Sequence, residues 1–200
     1  MTAVFPVMEH FYTIQGEGAF TGVPAYFIRL AGCDVGCTWC DVKESWDASQ
    51  YQSFSATEML TWVKSSKANI VVITGGEPAM YDLSEVVDLF HHANLRVHIE
   101  TSAAYEIRGN FDWITISPKK FKFPLELELK KAHELKIVAF NKSDFQWAEQ
   151  WEIHCNENCK LFLQPEWDKR DKMMELIIDY VKEHPHWQIS LQTHKILNVP

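Results

Sequence analysis

Residues 29–42 read Arg29-Leu30-Ala31-Gly32-Cys33-Asp34-Val35-Gly36-Cys37-Thr38-Trp39-Cys40-Asp41-Val42. The cysteines follow the spacing Cys-x3-Cys-x2-Cys, one thiolate short of a four-cysteine cage. Thiolates ligate iron–sulfur clusters. Three of them hold three irons of a cubane and leave the fourth iron open to a small molecule. Gly32, Asp34 and Gly36 suit a backbone that wraps a bulky group. From spacing alone, zinc also stays open, because His154, Cys155 or Cys159 of the stretch HCNENC offers a fourth ligand. Unrelated buried thiols are the plain alternative.

Short apolar segments extend outward from this loop. Residues 25–31 (AYFIRLA) read as a strand leading into it, while residues 1–24 are mixed, punctuated by Gly16, Gly18, Gly22 and Pro24, and within them TIQGEGAFTG reads as a turn-rich loop. Further strands are expected at 70–74, 96–100, 113–117, 134–138, 160–164 and 187–191. Helices are expected at 55–68, 83–93, 143–152 and 169–183. Ser55 with Glu58 predicts a capping box at the first of them. The helices between residues 100 and 113, and between 119 and 134, look poor or missing. This alternation predicts an α/β fold with a largely parallel sheet. The chain is short for a full eight-fold barrel, which takes roughly 250 residues, so a small, incomplete barrel in a single domain, residues 1–200, is expected. The cluster loop spans residues 32–41. Glycine-rich and polar segments follow the strand ends, where active sites of parallel α/β folds collect.

The chain has 200 residues and a formal charge of −8, with no long basic block, which argues against a nucleic-acid partner. No apolar run approaches the roughly 20 residues of a membrane span, and the first residues show no signal-peptide pattern. Five cysteines, three of them clustered at ligand spacing, point to a reducing, cytoplasmic setting rather than a disulfide framework.

A second motif, Thr74-Gly75-Gly76-Glu77-Pro78, follows the strand at 70–74. Together with the cysteine triad and the aromatic Trp39 before its last member, it resembles the radical S-adenosylmethionine superfamily. The resemblance narrows to the 7-carboxy-7-deazaguanine synthases. It is carried by FYTIQGEGAFTGVPAYFIRLAGCDVGCTWCDVKESW, ITGGEPAMYDL, VHIETSA, ISPK, LFLQPEW and SLQTHKILNVP, and it covers nearly the whole chain.

The resemblance implies a radical-SAM-type incomplete (β/α) barrel. It implies a [4Fe–4S] cluster on Cys33, Cys37 and Cys40, S-adenosylmethionine, and usually Mg2+. The reaction would convert 6-carboxy-5,6,7,8-tetrahydropterin to 7-carboxy-7-deazaguanine with loss of ammonia, started by a 5′-deoxyadenosyl radical. Substrate contacts are implied at Ile14, Gln15, Gly16, Glu17, Arg29, Thr74, His194 and Pro200. An Arg29 fork suits a planar carboxylate, and the carboxylate of a terminal Pro200 suits adjacent ring N–H donors. Cofactor contacts are implied at Trp39, Asp41, Gly76, Glu77, Ser102, Ser117, Pro118, Lys119 and Gln164, with Glu100 and Thr101 near the adenosyl group. No catalytic side chain is implied beyond cluster and cofactor. A flavodoxin- or ferredoxin-like electron donor and a homodimer are the implied partners.

Two positions depart from the family pattern. Val42 stands where a threonine helps bind magnesium, and valine has no oxygen for a hard cation. Ala103 stands where glycine is usual and restricts a left-handed turn. His154, Cys155 and Cys159 lack a fourth partner nearby and read as structural or free thiols rather than an auxiliary site. The competing readings are an activase that places a glycyl radical on a partner protein, and a zinc-binding interaction module.

Overall fold

The computed structural model describes residues 3–200. Its strands are β1 (Val4–Ile14), β2 (Pro24–Leu30), β3 (Ser53–Ser55), β4 (Ile70–Gly75), β5 (Arg96–Thr101), β6 (Trp113–Ile116), β7 (Glu134–Ala139), β8 (Lys160–Pro165) and β9 (Trp187–Ile189). Its helices are α1 (Ala56–Lys64), α2 (Ser84–His92), α3 (Glu126–Leu129), α4 (Ser143–Glu152), α5 (Arg170–Glu183) and α6 (Thr193–Leu197). The strands form one sheet in the order β3-β1-β2-β4-β5-β6-β7-β8-β9. From β2 to β9 every neighbour is parallel, and β1 and β3 are added antiparallel at one end. The incomplete, largely parallel barrel expected from the sequence is therefore found.

Side-chain alternation explains why the sheet has one face packed under the helices and a concave face that carries a small apolar cluster of Ala25, Phe27, Ile70 and Val72 beside its polar residues. Successive residues of a strand point to opposite faces. On β4, Val71 and Ile73 pack into the main core with Met59 and Val63 of α1 and Val86, Val87 and Phe90 of α2. Thr74 lies on the other face. On β7, Leu135, Ile137 and Ala139 join the helix-side core, while Lys136 and Val138 face the concave side. Each fully buried aliphatic side chain on the helix side stabilises by roughly 1.5–3 kcal/mol, which holds the strands in this register.

The expected capping box is present: Ser55 N donates to Glu58 Oε2 at 2.8 Å, and Glu58 N donates to Ser55 Oγ at 3.4 Å. No helix forms between β5 and β6, and α3 is a single turn, so the two weak connections were read correctly.

The stretch before β2 holds one element that was not expected. β1 is an eleven-residue strand in a segment read only as mixed, and it ends at Ile14, inside the start of the expected turn-rich loop TIQGEGAFTG. β3 pairs only with Val4, Phe5 and Pro6, so the rest of β1 has a single neighbour. A strand with one free edge tolerates the mixed polarity that hides it from pattern reading. β3, with three residues, is too short to carry a period.

The loop after β1 is a strap across the concave face. Gly18 N donates to Ser190 Oγ at 3.0 Å and Ala19 N to Glu134 Oε2 at 3.0 Å. Phe20 packs edge-on against His98 and Trp113, with ring centroids 4.6 and 4.9 Å away, and plugs the lower end of the barrel.

Candidate active site

Backbone pairing between β2 and β4 continues past the strand ends and brings the two motifs together. Gly76 N donates to Leu30 O at 2.8 Å, and Glu77 N donates to Gly32 O at 2.9 Å. A side chain at Gly76 would place its Cβ 2.8 Å from Cys33 Cβ, so only glycine allows this approach. Gly32 N and Cys33 N in turn donate to Ser45 O (2.6 Å) and Trp46 O (3.2 Å), which pins the cysteine loop from its far side.

Glu77 is the knot of this region. It is 1% exposed. Its Oε1 accepts from Ala79 N at 3.0 Å and from the Thr101 hydroxyl. Its Oε2 accepts from Ser102 N at 2.8 Å and from the Ser102 hydroxyl. One carboxylate thus ties the turn after β4 to the turn after β5. Ala103, fully buried, follows that turn at φ 58, the left-handed conformation expected to be restrictive for alanine.

These elements open onto one cavity of about 280 Å³, close to the roughly 300 Å³ at the small end of ligand sites. Cys33, Cys37 and Cys40 form part of its wall. Burial raises the Cys33 thiol, and it pushes Cys37 up to about 11 against the pull of Lys119. Lys119 Nζ donates to Ser117 O at 2.8 Å and lies 5.6 Å from the Trp39 ring centroid. Ile14, Gln15, Gly16, Glu17, Arg29, Thr74, His194 and Pro200 share this cavity with Trp39, Asp41, Gly76, Glu77, Ser102, Ser117, Lys119 and Gln164. Residues far apart in the chain, read from six strand ends and the C-terminal segment, therefore converge as expected.

Pro118 is placed differently from its neighbours Ser117 and Lys119. It is buried but does not line the cavity; alternation along the β6 extension turns it away while Ser117 and Lys119 face in. Arg29 lines the cavity, yet its Nε already donates to Glu9 Oε1 at 2.6 Å, so the rest of its fork is what faces a ligand. Asp41 is held by Lys195, whose Nζ is 3.3 Å from Asp41 Oδ2 and 4.9 Å from the Trp167 ring centroid.

Sequence reading missed Lys136, Gln192 and Lys195, all in the cavity wall. The signal for Lys136 was a charged residue at an inward position of the otherwise apolar run Leu135–Lys136–Ile137. The HCNENC cysteines lie elsewhere. They precede β8, whereas the cysteine triad follows β2, and β2 and β8 run parallel, so the two sets sit at opposite ends of the sheet. Cys155 and Cys159 instead pack against the core. Neither they nor His154 can complete a zinc site on the triad. Among the described residues no three His, Cys, Asp or Glu side chains converge as ligands of a single metal ion would.

Residues 27–122 match the family model described as the Radical SAM superfamily. A 7-carboxy-7-deazaguanine synthase of Flavobacterium psychrophilum is 49% identical over 197 residues, covering 98% of this chain and 93% of that protein. One from Synechocystis is 44% identical over 199 residues, covering 100% and 95%. One from Escherichia coli K12 is 34% identical over 222 residues, covering 98% and 99%. The crystal structure of QueE from Escherichia coli superposes with a TM-score of 0.87 at 32% identity, covering 96% of this chain and 95% of that one.

The chain belongs to the 7-carboxy-7-deazaguanine synthase family. As a radical SAM enzyme, a member of this family implies a [4Fe–4S] cluster and S-adenosylmethionine. The wall fits both. Three thiols line one cavity, the close-packed Gly76 brings the turn after β4 against the cysteine loop, and polar strand ends line the same space. The activase and zinc readings give way to this family membership. No helix of the described residues is long and apolar enough to cross a membrane.

Proposed function

We propose that this chain converts 6-carboxy-5,6,7,8-tetrahydropterin to 7-carboxy-7-deazaguanine with loss of ammonia. The observation that carries the reading is the make-up of the cavity. The three cysteines share it with hydrogen-bonding side chains from Gln15 and Glu17 of the strap, Arg29 and Thr74 of the sheet and His194 of the C-terminal segment, together with Pro200. When bound, cluster and cofactor supply the 5′-deoxyadenosyl radical that takes a hydrogen atom from the substrate.

The protein's own residues bind and orient. Cys33, Cys37 and Cys40 would hold three irons of the cluster. Trp39, Asp41, Gly76, Ser102, Ser117, Lys119 and Gln164 border the cofactor's share of the cavity. Glu77 acts there through Ser102, since its carboxylate is saturated by internal donors. Arg29 meets the substrate carboxylate with the nitrogens that Glu9 leaves free. Glu17 accepts from the guanidine-like edge of the ring. The strap over the concave face limits water at the reacting centre.

Magnesium does not fit the residues present. Val42 offers no oxygen, and the adjacent Asp41 is paired with Lys195. The reading further takes the chain as one cytoplasmic domain that pairs as a homodimer and receives its electron from a flavodoxin- or ferredoxin-like donor.

The test is anaerobic turnover with reductant, S-adenosylmethionine and the carboxytetrahydropterin. The expected product is 7-carboxy-7-deazaguanine without net consumption of S-adenosylmethionine. His194→Ala should weaken substrate binding and leave iron and sulfide content unchanged. A cluster-loaded protein that cleaves S-adenosylmethionine but never transforms the pterin overturns the proposal.

A further inference from the structure

Lys136 stands mid-strand on β7 with its side chain on the concave face, 6% exposed. Its ammonium donates to Glu17 Oε2, and Gln192 Nε2 donates to Glu17 Oε1 at 3.1 Å. The other charged or titratable groups facing this pair come from every neighbouring element. Glu134 of β7 accepts from Ala19 N at 3.0 Å, and Glu100 of β5 accepts from Gln15 Nε2 at 2.8 Å. Lys119 after β6 and His194 of α6 complete the set. Burial lowers the pKa of His194, which favours its neutral form.

A carboxylate buried alone takes up a proton rather than keep its charge. Burial pushes Glu17 in that direction, but the Lys136 ammonium outweighs it and holds the carboxyl at about 2. Burial likewise works against charge on Lys136, and Glu17, Glu100 and Glu134 together lift it above its ordinary range. The dependence is uneven: Lys136 has Glu100 and Glu134 beside it as well as Glu17, whereas Glu17 relies mainly on Lys136. Each Glu17 oxygen retains acceptor capacity after one internal bond.

We propose that Lys136 is a positioning residue for ligand recognition, keeping Glu17 ionised and aimed so that it accepts N–H donors from an amidine- or guanidine-like ring edge. This deepens the proposed function and rests on it for the identity of the ligand. An ionised carboxylate meets two adjacent donors with two acceptors. A protonated one presents an O–H donor to a donor, and recognition fails. Lys136 never needs to touch the ligand.

The experiment measures KM and kcat for the carboxytetrahydropterin with anaerobic, cluster-loaded enzyme across pH. In the parent, KM should be flat from about pH 6 to about pH 8, whereas in Lys136→Met it should rise by about tenfold per pH unit as pH falls, the slope of one proton. The effect should fall on KM more than on kcat. Glu17→Gln should abolish that slope in the Lys136→Met background and leave the profile flat in the parent background. The double variant Glu17→Gln/Lys136→Met removes both charges and provides a folded control if Lys136→Met alone is unstable. A flat KM profile in Lys136→Met overturns the proposal, as does a loss confined to kcat.

A second measurement needs no ligand. The infrared carboxylate band of Glu17, taken as parent minus Glu17→Gln in substrate-free holoenzyme, should stay ionised in mild acid and protonate at higher pH once Lys136 is Met. If the parent fails to act on the pterin at all, the proposed function fails, and this band still decides the role of Lys136.

Discussion

Glu77→Gln should unfold the turn that joins the two halves of the cofactor wall. In the parent, Oε1 holds Ala79 N and the Thr101 hydroxyl, while Oε2 holds Ser102 N and the Ser102 hydroxyl. Glutamine keeps one acceptor oxygen. Whichever way the amide turns, its NH2 meets a backbone N–H, from Ser102 or from Ala79, donor against donor. The Ser102 oxygen, which also accepts from Ala104 N at 3.3 Å, has a second lone pair for one amide hydrogen, but the backbone N–H facing the NH2 still has no acceptor. At least one bond to a charged group is lost, and a buried N–H is orphaned. Offset by the relief of removing a buried charge, the net destabilisation is about 2–4 kcal/mol. For a domain of this length that lowers Tm by about 5–15 °C. Anaerobic thermal unfolding of parent and variant, read by far-UV circular dichroism, measures it, with S-adenosylmethionine binding followed separately. A variant that melts within about a degree of the parent yet no longer binds S-adenosylmethionine would refute the reasoning, because it would mean the carboxylate serves the ligand and not the fold.

Three further outcomes follow from other parts of the structure. Gly18 lies at φ +62, and a Cβ there would stand 2.6 Å from Glu134 Cδ. Gly18→Ala should cost about 1–2 kcal/mol from the left-handed backbone and loosen the strap, raising the substrate KM at unchanged iron content. Chelating magnesium should leave turnover unchanged in the parent, and Val42→Thr should introduce a magnesium response; collapse of parent activity on chelation would contradict the poor fit at Val42. His98, buried against Phe20 and Trp113, is depressed by burial from 6.5 to about 4. Between those values the unfolded chain binds the proton and the folded one does not, so stability is full above about pH 6.5 and falls as pH drops. The loss approaches about 3 kcal/mol by about pH 4. Urea unfolding of parent and His98→Phe at mildly acidic and neutral pH should show the variant lacking that slope.

The parallel strands were legible because each carries a short, β-prone and largely apolar run bounded by polar turns, uninterrupted in β4 from Ile70 to Ile73. The site was legible where chemistry needs a rare residue type in a fixed spacing, as with the cysteine triad, or where backbone contact excludes a side chain, as at Gly76. What escaped reading has a common cause. β1 is half an edge, so its polarity is mixed. Lys136 is a single inward residue whose partner, Glu17, lies over a hundred positions away in the chain, and no local pattern reports that distance. Pro118 was grouped with Ser117 and Lys119 as one motif, although alternation sends neighbouring residues to opposite sides.

That alternation has a consequence for how such a chain can change. Every strand from β2 to β8 spells its helix face and its cavity face in interleaved letters. Losing or gaining one residue within β7 would move Leu135 and Ile137 into the cavity and Lys136 under the helices. Such a change acts as a frameshift in three dimensions: composition stays almost the same, and both faces become nonsense. Length variation is therefore confined to the connections, while the strands admit substitution only.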